Sequence, residues 1–398
     1  MRRVRDVMIG LAVITSIPFS IVAVRNAKLW YNGDAYRSRL TDVESWRPLM
    51  VPKDPSVTPM QAGEAVRQLL RVQSRTDFPQ RGGEVPLERA WQSLPMTADM
   101  FPQIRAIGLP GPASQAVVSV ARSGFNANEM TYLRAVAESP VWQEFDRVGR
   151  AQRIDLIGGR FALPFRDDAF APRLPMWSFA DAKALASAGV SRAAYYLANG
   201  EPDKAEAALR SVVSFGIALM DNGMSAYDAL FGRVIAGIGR DGLHQFYDAT
   251  GDANRADATA HVASTTATTA LGARQRMSLD ELQRHLLRDI NDPALPRAVR
   301  FERLQRLSYT SNCSVGGMLR GPSREVLSAF DEAKHTLARF PSERAYLDLL
   351  QDTPNRLPDS FTDARTVPGM VVAGSATIAS IVLHAPRVSM CTRFALDQ

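Results

Sequence analysis

Lysine, histidine and cysteine are all scarce in this chain. Five lysines, five histidines and two cysteines are spread through 398 residues. Cys313 and Cys391 cannot make a four-cysteine zinc site, and neither belongs to a C-x-x-C or C-x-x-C-H run. Attachment of a c-type haem is therefore excluded. Outside the cytoplasm the two thiols could form one disulfide, tying the C-terminal tail to the loop around 313; the alternative is two unpaired thiols.

The histidines are His244, His261, His285, His335 and His384, and none has a second histidine at i+3 or i+4. His285 with Asp289, and Asp331 with His335, stand at i,i+4, the spacing of ordinary helix-surface pairs. The chain also lacks the G-x-S-x-G elbow, H-E-x-x-H and a P-loop; Gly158-Gly159 has neither the lysine nor the spacing of one. Arg166-Asp167-Asp168 reads as a solvated turn. Glu138 and Glu144 are general-acid candidates without a partner carboxylate that sequence can place. No metal and no cofactor are implied.

Charge of one sign is concentrated rather than spread. The net charge is +6, and Arg2, Arg3, Arg5, Arg25 and Lys28 against Asp6 contribute +4 of it around one apolar segment. The near-neutral remainder offers no concentrated basic face for nucleic acid. The abundant alanine and arginine fit codon bias in a GC-rich genome.

What is present begins at the N-terminus. Val7 to Val24 is an eighteen-residue run without a charge, near the lower limit for a helix that crosses the hydrocarbon core. Arginines precede it. Arg25, Lys28, Trp30 and Tyr31 follow it, and these are residue types that settle at a membrane interface. A cleaved signal peptide is the competing reading, but its core is usually shorter, and Val22-Ala23-Val24-Arg25 is a poor cleavage site. Three arginines in a short tail keep the N-terminus cytoplasmic, so the body is expected in the periplasm or outside.

Residues 32–58 read as a polar linker carrying Pro48, Pro52 and Pro55. Helix starts follow at Thr58-Pro59, Asn126 with Glu129, Ser139-Pro140, Ser178 with Asp181, Pro202, Ser225 with Asp228, Asp252, Ser278 with Glu281, and Pro322-Ser323. Residues 154–177, rich in proline and glycine, mark a boundary between subdomains. Val367 to Leu383 is a second run without charge, seventeen residues long. Its proline, glycines and hydroxyls favour a buried or partner-covered helix over a second membrane span.

Between 178 and 221, Gly189, Ala193, Tyr196, Gly200, Ala205, Leu209 and Val212 fall at helical spacing on either side of a glycine turn. This pair resembles a tetratricopeptide helical hairpin. The resemblance covers about a tenth of the chain, and no second copy follows at the roughly 34-residue period. It implies small residues at the helix contact, Tyr196 filling the wedge, Gly200 making the reversal, and an adaptor surface for protein segments.

The fold expected is mainly α: an N-terminal transmembrane helix, then an irregular array of α-helical hairpins. The expected parts are an anchor (1–31), a linker (32–58), an N-terminal helical subdomain (59–153), a main helical subdomain (178–352) and a tail (353–398) holding the apolar segment 367–383. The function expected is non-enzymatic: a scaffold or accessory subunit of a bacterial inner-membrane complex. The chain would cross once, with its bulk periplasmic and with lipid and other membrane-complex proteins as partners. The alternative is a cell-envelope enzyme, a hydrolase, whose site is not readable from sequence.

Overall fold

The computed structural model describes residues 29–31, 41–70, 113–158, 177, 179–260, 275–311 and 322–352. The chain is mainly α. Strand β1 (Leu29–Tyr31) and a 3-10 helix (Thr41–Leu49) lead into α1 (Pro59–Leu69). Then come α2 (Ala113–Val120), α3 (Ala127–Ala137), α4 (Val141–Arg150), α5 (Phe179–Ala198), α6 (Pro202–Asn222), α7 (Ala226–Thr250) and α8 (Ala253–Thr259). Strand β2 (Gln275–Met277) precedes α9 (Leu279–Ile290), α10 (Arg297–Ser311), α11 (Arg324–Thr336) and α12 (Pro341–Asp352).

Local chemistry sets many of the helix starts. Thr58 with Gln61, Asn126 with Glu129, Ser225 with Asp228, and Ser278 with Glu281 each form a reciprocal capping box. In each, the cap oxygen accepts an amide of the first turn that has no partner inside the helix, a contact worth about 1 kcal/mol. Asp252 caps α8, which ends at Thr259.

Two hydrophobic cores form. The first gathers Val66 of α1, Phe145 of α4, Leu185 of α5, Phe215 of α6 and Leu243 of α7, all inaccessible to solvent. Phe145 and Phe215 stack with centroids 4.3 Å apart. At the α6–α7 crossing the backbones nearly touch: a Cβ on Gly232 would stand 2.4 Å from the Gly216 carbonyl oxygen. Only glycine fits there.

The second core holds Leu282 and Leu286 of α9, Phe330 of α11, and Tyr346 and Leu347 of α12. Helix α10 belongs to both: Ala298 and Val299 enter the first core, while Phe301, Leu304 and Leu307 enter the second.

The described residues of 59–153 and 178–260 share one core, and α10 joins it to the second. The linker reading of 32–58 needs amendment, because Val43 and Trp46 of the 3-10 helix are buried in the first core. Trp46 lies beneath two α7 guanidinium groups, with Arg240 4.7 Å and Arg233 5.8 Å from its ring centroid.

Candidate functional site

The structure places three sets of residues that bear on function: the strand after the apolar N-terminal run, a polar seam between the cores, and one exposed face of α7.

Of the expected interface residues, Trp30 and Tyr31 lie on β1, while Arg25 and Lys28 fall outside the described residues. Strand β1 pairs antiparallel with β2, matching Leu29 to Met277, Trp30 to Arg276 and Tyr31 to Gln275. Met277 is buried in the second core. The chain is thus pinned to the body five residues after Val24. No described helix is long and apolar enough to cross a membrane; residues 1–28 and 353–398, with the runs at 7–24 and 367–383, lie outside the described residues.

The hairpin residues come together as α5 and α6. A Cβ on Gly189 would meet the Val212 side chain at 2.5 Å, and Ala193, Ala205 and Leu209 are buried. Gly200, at φ +74°, makes the reversal, a conformation that other residues adopt at a cost. Tyr196 is half-buried and packs against the first core, with Arg192 and Lys204 each 5.7 Å from its ring centroid. The helices hold 20 and 21 residues. The next contact, α6 with α7, is equally intimate.

The seam is built from residues far apart in sequence. From α10, Arg297 donates to the carbonyls of Asn222 (3.4 Å) and Gly223 (3.5 Å), in the turn between α6 and α7. Gln305 donates to the Met224 carbonyl at 3.3 Å, and Glu302 accepts the Ala226 amide at 2.6 Å. Arg297 also reaches the Leu337 carbonyl at 2.9 Å and pairs with Glu343 of α12 at 2.5 Å. Glu343 accepts the Arg339 amide at 2.7 Å. Asp155 accepts the Ser342 hydroxyl at 2.9 Å and the amides of Ile157 and Gly158.

Electrostatics at the seam follow from this crowding. Burial pushes the Glu343 carboxyl above its ordinary range, while Arg297 pulls the other way. Burial, and secondarily the neighbouring Arg297 charge, push the Arg339 guanidinium below its usual range. Asp228 is buried at the first turn of α7. Its carboxylate accepts the amides of Met224 (3.0 Å) and Ser225 (3.1 Å). Burial is the main reason its carboxyl rises to about 6, and the nearby Glu302 adds to the rise. The Glu343, Asp155 and Asp228 carboxylates are all engaged by protein donors. The arrangement therefore acts chemically as a fastener, orienting α12 and the 151–158 segment against the α6–α7 turn.

The exposed face lies on the first half of α7. Tyr227 (53 % exposed) and Val234 (41 %) flank the half-buried Leu230 and Phe231 at helical spacing. Phe231 stacks on Phe179 of α5 at 4.3 Å, and Tyr227 is 5.5 Å from Phe231. A side chain at Gly237, one turn further along, would meet nothing within 4 Å. Helix α2 covers the other half, where Ser119 bonds Gln245 at 3.3 Å and Arg122 bonds the Ala249 carbonyl at 2.8 Å.

Other candidates resolve into structural roles or lie elsewhere. Asp289 is 1 % exposed and pairs with Arg303 and Arg288 at 3.3 Å, so it lies in the interior rather than on the helix surface. Asp331 lies 3.6 Å from Lys334, and Glu144 is paired with Arg147. His244 Nδ1 is 2.8 Å from the Ala256 carbonyl. Among the described residues, no group of three histidine, cysteine or acidic side chains is placed to hold a metal. Cys313, Cys391 and Asp167-Asp168 lie outside the described residues.

No family model, no curated protein and no solved structure resembles the chain closely enough to count as a match.

Proposed function

We propose that this chain is a membrane-anchored helical scaffold, an accessory subunit of a bacterial inner-membrane complex whose body faces the periplasm. One observation carries the reading. An eighteen-residue run without charge ends five residues before a strand that is paired to the body. A helix of eighteen residues spans roughly 27 Å, close to the thickness of a bilayer core. With so short a connection, the second core would sit at the membrane surface. In this reading α5 and α6 serve as one tetratricopeptide-like hairpin within a longer array, and no cofactor takes part.

The α7 face supplies the contact surface. Tyr227, Phe231 and Val234 present an aromatic and aliphatic strip at i, i+4 and i+7, the spacing that a partner helix would read. Aromatic anchors of this kind dominate binding energy where they are covered. A photo-crosslinking residue in place of Tyr227, activated in intact membranes, tests this. One adduct of discrete mass is expected, lost when Phe231→Asp is added. Absence of an adduct, or one indifferent to Phe231→Asp, would contradict the scaffold reading.

A further inference from the structure

The first turn of α7 carries two carboxylates from different helices. Asp228 comes from α7 itself and Glu302 from α10. Both accept amides at the same helix end, where the backbone dipole favours negative charge. Asp228 is buried and Glu302 partly so, which leaves their repulsion only partly screened. Among the described residues Asp228 has no ion pair. Its carboxyl accepts the amides of Met224 and Ser225 and bonds with the Ser225 hydroxyl, which also accepts the Asp228 amide.

The charged groups packed around this turn are specific. Helix α10 presents Glu302, Arg297 and Arg303, and Arg303 is divided between Asp289 at 3.3 Å and Glu302 at 3.9 Å. The end of α6 presents Asp221, which Arg47 neutralises at 2.7 Å. Beyond Arg297 lie Glu343 and Arg339 of the α12 side, and Asp155 lies near Glu343. The nearby cations are thus shared with other acids, and the charge on Asp228 is met by hydrogen bonds rather than by an ion pair.

The same turn is where the two cores are joined. Glu302, Gln305 and Arg297 all grip residues 222–226 from α10. We infer that protonation of Asp228 tightens this junction, so that the body couples its two cores more firmly as the surroundings become acidic. A proton on Asp228 removes the repulsion against Glu302 and the cost of a buried charge, and it leaves an oxygen to accept from the turn.

The sign follows from linkage. A carboxyl raised to about 6 from an ordinary 3.8 binds its proton more tightly in the closed junction than when opened to water. Opening is therefore suppressed as pH falls through about 6, and the effect levels off near the ordinary carboxylate range. Between pH 7 and pH 5 the opening equilibrium is expected to drop about tenfold.

Hydrogen exchange of the full chain in detergent, followed over the amides of residues 226–230 and corrected for intrinsic rates, reads this directly. The wild type should open about tenfold less at pH 5 than at pH 7. Asp228→Asn should remove the difference. Glu302→Gln keeps the fold testable if that variant fails to fold, and it should move the midpoint of the profile to lower pH. Opening that is unchanged or greater at pH 5 overturns the inference. So does a pH dependence that survives in Asp228→Asn, or a midpoint unmoved by Glu302→Gln.

Discussion

Arg297 and Glu343 form a 2.5 Å ion pair across the seam, with both side chains under a tenth exposed. It ties the first turn of α10 to the first turn of α12. The Arg297 guanidinium also lies 4.9 Å from the Phe301 ring centroid, so one side chain serves a charge, two helices and an aromatic face. Removing one partner leaves a buried charge alone. Glu343→Ala should destabilise the chain by about 3–5 kcal/mol in urea unfolding at neutral pH. The double change Arg297→Met with Glu343→Leu should recover most of that loss, because apolar groups of similar volume need no partner. An equal loss in both variants would show that packing, not charge, is at stake.

The α6–α7 crossing predicts a second outcome. Gly232→Ala forces a methyl group to within 2.4 Å of the Gly216 carbonyl oxygen and 2.7 Å of the Met220 amide nitrogen. Both are backbone atoms, so the helices must separate. A loss of about 1–3 kcal/mol or more is expected from thermal unfolding. Gly237→Ala on the same helix has open space and should be neutral or slightly stabilising, as the helix propensities predict.

Caps can be tested one at a time. Ser225→Ala removes the hydroxyl that accepts the Asp228 amide at 3.2 Å, and should cost about 1 kcal/mol. The loss should appear as faster hydrogen exchange in the first turn of α7. Uniform loosening of the whole helix would contradict a local capping role.

The exposed strip should separate stability from assembly. Tyr227→Asp is a surface change, so unfolding should shift by no more than about 0.5 kcal/mol. Recovery of the chain in a higher-mass membrane complex, measured by native gel, should nevertheless fall sharply. An unchanged complex would remove the α7 face from the contact surface.

Much of the helical framework was legible in the sequence because its signals are local. Thr58, Asn126, Ser225 and Ser278 each announce a helix within four residues, and the structure places a capping box at each. The inward positions of α5 and α6 followed from spacing alone: Ala193, Ala205, Leu209 and Val212 are buried. The seam was not legible, because its bonds join residues such as Asp155 and Ser342, 187 positions apart. Period alone also put Asp289 on a surface, whereas the approach of Arg303 buries it. Asp228 was readable as a cap, but its burial depends on α10 packing over the turn. Prolines made residues 32–58 look like a linker, and nothing local shows that Trp46 sits under Arg240.

The central claim is that the charge-free run at 7–24 tethers the body to lipid. Alkaline carbonate extraction of membranes tests it most directly, comparing the full chain with one beginning at Leu29. The full chain should stay in the pellet and the shortened chain, which keeps β1, should be released. Release of the full chain, or retention of both, would contradict the tether.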